Sequence, residues 1–191
     1  MTTALLVIDL INDIAHPKGK IARSAERILK NKVIEHTNQV IKYAKNHHFP
    51  VIFVKVGFHV GYPECPKDSP IFGPAAVHGA LLLGSWGTEF HEDLDVTPTD
   101  LVVTKHRVSC FYATPLETIL DAQGIKTLIL TGTSTDWAIE HTTRDAHDRG
   151  YQVVIVQDAC ETANEPAHKA SLEAMGRIAK VVTTETLLKG I

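Results

Sequence analysis

The sequence predicts an α/β fold in three layers: a six-stranded, mainly parallel sheet with helices on both faces, built as one domain over 1–191. Three observations carry that prediction. Ala4–Asp9, Val51–Val56 and Val153–Val156 are apolar runs without polar alternation, broken only by Lys55 and by the closing Asp9, the pattern of strands covered on both sides. Amphipathic stretches separate these runs, so strands and helices alternate about six times in the order of right-handed βαβ units. Polar groups stand at predicted strand carboxyl ends, namely Asp9, Lys105 and the turn Thr131–Asp136, where open parallel sheets bind ligands.

Taken in order, the run ending at Asp9 is the first strand, and Asn12–Lys20, with Pro17 and Gly19, reads as a loop. The spacing of Ile28, Val33, Ile34, Val40, Ile41 and Ala44 predicts one helix over Ser24–Asn46. The second strand follows Pro50. Gly57–Asp95, rich in glycine and proline, is expected to be a long functional loop. Leu101–Lys105 is a short strand, and a helix over Pro115–Gln123 stops at Gly124. The next strand centres on Leu128. It leads through a Gly/Thr/Ser turn into a helix over Trp137–Arg149, with Thr135 as the N-cap candidate and Asp136 in the first turn. A strand at Val153–Val156, a helix near Pro166–Gly176, a strand at Val181–Thr183 and a short helix over Glu185–Lys189 close the chain.

The totals are those of an ordinary globular protein: 191 residues, 44% hydrophobic and 21% charged. A formal charge of −3 offers no electrostatic case for nucleic acid or an anionic membrane. No apolar run approaches the roughly 20 residues of a membrane span, and Met1 leads into a strand without a basic region or cleavage site, so no signal peptide is expected. The three cysteines, Cys65, Cys110 and Cys160, are widely spaced and odd in number, which suits reduced thiols and a cytoplasmic location.

Unpaired N–H groups and the positive dipole end make the first turn after Thr131–Ser134 suitable for a developing oxyanion. A buried carboxylate and a lysine at neighbouring strand ends suit acid/base chemistry, the lysine favouring the ionised carboxylate. Each group also has a structural reading: Asp9 as a cap on nearby backbone, Lys105 as a solvated strand end, and the turn as any βα junction.

Their order along the chain resembles the isochorismatase-like (cysteine hydrolase) superfamily. Leu6-Val-Ile-Asp9 with Asn12-Asp13 is similar to that family's LVIDxQNDF, departing at Ile11 and Ile14. Lys105 through Ser109, Phe111, Thr114 and Leu116 is similar to KxxxSAFxxTxL, with Cys110 in place of alanine. Gly132 through Tyr151 is similar to GxxTDxCVxxTxxDAxxxGY, and Asp158-Ala159, His168 and Ser171-Leu172 match the last segment.

The resemblance implies a Rossmann-like fold, a hydrolase acting on a small polar metabolite, and a homodimer or homotetramer. It implies Asp9 as general acid/base, Lys105 as its electrostatic partner, a cis peptide at Thr133–Ser134, and an oxyanion hole from the N–H groups of Ser134 and Ala138. Ala138 occupies the position of the nucleophilic cysteine and cannot form an acyl-enzyme. This leaves open a hydrolase working by Asp/Lys acid/base catalysis alone, a cysteine-type amidohydrolase inactivated by a Cys-to-Ala change, or a non-catalytic ligand-binding relative.

Trp86, Phe111, Trp137 and His59 are candidates to line the substrate pocket, and Arg107 and Arg144 to bind a carboxylate or form salt bridges. The nicotinamidase branch holds a divalent metal with an Asp and two His after the second strand. Here Lys55–Tyr62 offers only His59, without an acidic partner, so neither metal nor organic cofactor is expected.

Overall fold

A computed structural model describes residues 2–190; Met1 and Ile191, the two ends of the expected domain, lie outside the described residues. Six strands form one sheet in the order β3-β2-β1-β4-β5-β6, and every neighbouring pair is parallel. The strands are β1 (Thr2–Ile8), β2 (Val51–Val56), β3 (Leu101–Lys105), β4 (Ile125–Thr133), β5 (Gln152–Glu161) and β6 (Lys180–Val182). The helices are α1 (Asn12–Ala15), α2 (Ala25–Lys30), α3 (Val33–Asn46), α4 (Gly73–His78), α5 (Leu116–Ala122), α6 (Glu140–Asp148), α7 (Glu165–Met175) and α8 (Thr184–Leu188).

The apolar runs form strands because both faces have a layer to pack against. Leu5 to Ile8 are completely buried and alternate between two cores. Leu6 and Ile8 join Ile52, Val54, Leu128 and Leu130 on one face. Leu5 and Val7 join Phe53, Ile129, Val40 and Ile41 on the other. The chain runs outward from β1 to β3, then returns to the centre at β4 and proceeds the other way. Sheet order therefore reverses between β1 and β4, with Ile8 in register with Gly132.

Several boundaries differ from the sequence reading. The helix expected over Ser24–Asn46 is two helices, separated by Lys32 at φ 54°. The five-residue gap from Ile28 to Val33 breaks the helical spacing, and the bend lets Arg27 and Asn31 reach Glu161 across the sheet end. Asn12–Lys20 contains α1 rather than loop alone. Gly57–Asp95 holds α4 and a 3₁₀ turn at Trp86–Thr88. It covers its own core of Phe58, Cys65, Phe72, Ala80 and Leu81, and is tied to α1 where Leu81 N–H donates to Asp13 Oδ2 at 2.7 Å. The fifth strand extends to Glu161. Against β4 its pairing moves from Ile155 to Cys160 while β4 advances only from Leu130 to Gly132.

Candidate active site

Three adjacent strand ends assemble the central pair. Asp9 immediately follows β1, at φ 55°, an unusual backbone setting for a residue with a side chain. Its Oδ1 accepts from the Val56 N–H at 2.8 Å, and its Oδ2 lies 2.7 Å from Lys105 Nζ. Val56 and Lys105 are themselves register partners between β2 and β3. Asp9 is 3% and Lys105 2% exposed. The ammonium also donates to the carbonyls of Arg107 at 3.2 Å and Val108 at 3.0 Å. Its three donors thus meet three acceptors, which fixes the head group as a charge beside the carboxylate. Burial raises the Asp9 carboxyl above the ordinary aspartate range, opposed by the Lys105 charge and by hydrogen bonds from Lys105 and Val56.

Across the reversal point, β4 ends in the cis peptide Thr133–Ser134. The residue opening the next helical turn is Ser134, in extended conformation, so the N-cap is Ser134 rather than Thr135. The turn Thr135–Ile139 is a wide π turn that continues into α6. Ser134 O accepts from Trp137 N–H at 3.2 Å and Ile139 N–H at 3.1 Å. A second layer holds this turn. Thr135 Oγ1 is 2.9 Å from His168 Nδ1, Ser171 Oγ is 3.1 Å from Thr135 O, and Thr162 Oγ1 donates to Asp136 Oδ1 at 2.5 Å. Behind it Glu161, 2% exposed, accepts from Arg27 Nη2 at 3.2 Å, from Asn31, and from the Thr162 N–H at 2.9 Å.

Ala138 is buried within the turn and joins the apolar cluster of Ile8, Cys110 and Phe111. Cys110, wholly buried, has its thiol pushed up to about 11 by burial despite the Lys105 charge, so it is no substitute nucleophile. Burial likewise raises the Cys160 thiol. Phe111 stacks on Tyr151 with centroids 5.7 Å apart and carries the Arg149 guanidinium 5.0 Å from its ring. Trp86 is half-exposed, its carbonyl held by Asn12 Nδ2 at 2.9 Å and its ring edge-on to His16. Trp137 is also half-exposed.

The two arginines have settled partners. Arg144 pairs with Glu140, and Arg107 Nη1 donates to the carbonyls of Glu64 and His106. Asp145 accepts from Arg149 Nε at 2.8 Å and from Ser109 Oγ at 2.6 Å. His59 is not without an acidic partner: Glu64 lies against its Nδ1. Glu64 and His106, the residue following Lys105, line a cavity of about 330 Å³ with Pro63, Cys65, Arg107 and Tyr112. A larger groove of about 500 Å³ lies beside α3, around Asn38, Lys42 and Asp95, on a different part of the surface from the strand ends.

The isochorismatase domain model matches residues 3–186, nearly the whole chain. The chain belongs to the isochorismatase family. Among relatives of this isochorismatase-family chain, the uncharacterized isochorismatase family protein YecD of Escherichia coli O157:H7 is 31% identical over 191 residues, covering 100% of this chain and 96% of that protein. The ureidoacrylate amidohydrolase RutB of Methylobacterium radiotolerans is 32% identical over 185 residues, covering 90% and 72%. The crystal structure of N-carbamoylsarcosine amidase from Thermoplasma acidophilum superposes with a TM-score of 0.78 at 29% identity, covering 97% and 98%. With such relatives the chain is a hydrolase of this family, and its α/β architecture is that of the superposed amidase structure.

Glu64, His106, Glu161 and Arg27 were absent from the sequence-derived site. Glu64 and His106 come from separate loops with no periodic spacing to His59. Glu161 lies five residues beyond the apolar run Val153–Val156, at the far end of β5, where no apolar pattern marks it.

Proposed function

We propose that this chain hydrolyses a small polar metabolite by acid/base catalysis through Asp9 and Lys105, without a covalent cysteine intermediate. The observation that carries the reading is the 2.7 Å contact between two buried, oppositely charged side chains at the carboxyl ends of β1 and β3, beside the point where sheet order reverses. Asp9 moves the proton at its carboxylate; a carboxyl raised by burial sits closer to neutral pH, where proton transfer in both directions is efficient. Lys105, its donors engaged, supplies a fixed positive field. The turn after the Thr133–Ser134 bond, with the N–H groups of Ser134 and Ala138, receives charge developing on substrate oxygen. Trp86 and Trp137 are proposed as the apolar rim.

The amidohydrolase names of two relatives favour a second reading, in which amide hydrolysis is the ancestral chemistry and Ala138 has disabled it. Comparing the protein with its Ala138→Cys variant on small amides, ureas and isochorismate-like vinyl ethers separates the two. The first reading expects turnover by the alanine form, with no gain from cysteine. Ammonia released only by the Ala138→Cys variant contradicts it and establishes the second. Ligand binding without turnover in either form points to a non-catalytic relative.

A further inference from the structure

We propose that His59, Glu64 and His106 form a binding site for one divalent transition-metal ion of the zinc class. One ligand atom from each lies within 4.8 Å of the others. Bonds of 2.0–2.1 Å at tetrahedral angles place ligand atoms about 3.4 Å apart, so small side-chain rotations close the set.

Two nitrogens and one carboxylate oxygen from three side chains is a donor set that suits zinc with a fourth position left open. The segment after Gly57 folds to bring two of the donors together. Tyr62 N–H donates to His59 O at 2.8 Å and Cys65 N–H to Tyr62 O at 3.2 Å, two successive turns that carry Glu64 back onto His59. Glu64 Oε2 is then anchored by the His59 N–H at 3.2 Å, leaving Oε1 against the His59 ring.

His106 arrives from the end of β3 with its orientation already set. Its Nδ1 lies 2.6 Å from Gly57 O, a contact that requires the proton on Nδ1 and leaves the lone pair on Nε2. A carbonyl acceptor on the second ring nitrogen is the usual outer support of a metal-bound imidazole. The ring stacks on buried Phe58 at 6.0 Å, and Arg107 ties the Glu64 carbonyl to the same loop at 2.8 Å. Glu64 and His106 both line the 330 Å³ cavity, so an open metal position there would meet an anionic or carbonyl ligand beside the Arg107 guanidinium.

This donor set differs from the Asp and two His of the nicotinamidase branch: His59 and Glu64 follow β2, no aspartate takes part, and His106 comes from the end of β3. The site stands independently of the Asp9–Lys105 proposal. Titration of the metal-stripped full-length protein with Co²⁺, followed by visible d–d absorption and by calorimetry, tests it. One equivalent is expected to bind, with affinity falling at least about tenfold in His59→Ala, Glu64→Gln and His106→Gln separately, and unchanged in Asp9→Asn. His59 is two-thirds exposed, so its replacement leaves the fold intact, as circular dichroism checks. Absence of saturable binding overturns the proposal. So does binding that survives all three replacements, or that is lost instead in His16→Ala or His91→Ala, whose rings are 5.3 Å apart.

Discussion

At the scale of single residues, the proposed chemistry rests on Asp9 and Lys105. The carboxyl is raised by burial, and two of the opposing influences come from Lys105. Asp9 therefore gains its proton at a higher pH than an exposed aspartate. If the ionised form is required, kcat/KM falls with acidification at a pH above the ordinary aspartate range. Replacing Lys105 with Met removes the lowering influences and moves the carboxyl pKa further up, observable by carboxyl ¹³C titration; a downward shift would contradict the assignment. The thiols give a second check. Cys110 and Cys160 are buried with raised pKa values, so neither should react quickly with iodoacetamide at pH 8. An Ala138→Cys variant adds a thiol in the first turn of a helix, where the dipole favours the thiolate, and it is expected to label faster than Cys110 or Cys160 at pH 7 by mass spectrometry.

At the scale of elements, the β1–β4 junction sets the end of the Asp9 strand beside the turn that follows Thr133. Gly132 has φ 125°, and a Cβ there would lie 2.0 Å from Ile8 O, the residue before Asp9. Gly132→Ala must part the two central strands or twist β4. A loss of about 3–5 kcal/mol is expected, or roughly 6–20 °C in Tm for a chain this long, measured by thermal unfolding. Arg27 acts from further away: it neutralises buried Glu161, which borders the wide turn. Arg27→Met leaves that carboxylate with only neutral donors. Because Arg27 is itself partly exposed, the cost is expected at about 2–3 kcal/mol, below that of fully buried pairs. Urea unfolding measures it, and a change under 0.5 kcal/mol would show that Asn31 and Thr162 suffice.

Across the whole molecule, the sheet was legible in the sequence because a parallel sheet buried on both faces writes itself as unbroken apolar runs. Leu5 to Ile8 and Ile52 to Val54 are such runs, and their strands carry Asp9 and the Val56 amide that holds it. The strand-end positions of Asp9 and Lys105 were readable for the same reason. What escaped was set by contacts between distant segments. The break at Lys32 is set by a left-handed backbone turn between two helices, and the extension of β5 by the long excursion between Ile155 and Cys160. The encounter of His59 with Glu64 and His106 depends on two successive loop turns and on the Gly57 carbonyl, none of which leaves a periodic trace. The N-cap is Ser134 because Thr135 already has helical backbone, and the Thr135 hydroxyl meets His168.

The central claim is that Asp9 performs proton transfer beside Lys105, and it predicts a clean separation of activity from stability. The most direct measurement is turnover by Asp9→Asn, made in whichever background, native or Ala138→Cys, hydrolyses a substrate, with circular dichroism and thermal unfolding recorded alongside. The variant is expected to keep its fold and lose about 10²–10⁴-fold in kcat. A folded Asp9→Asn protein that retains turnover within a few-fold of its parent would contradict the account.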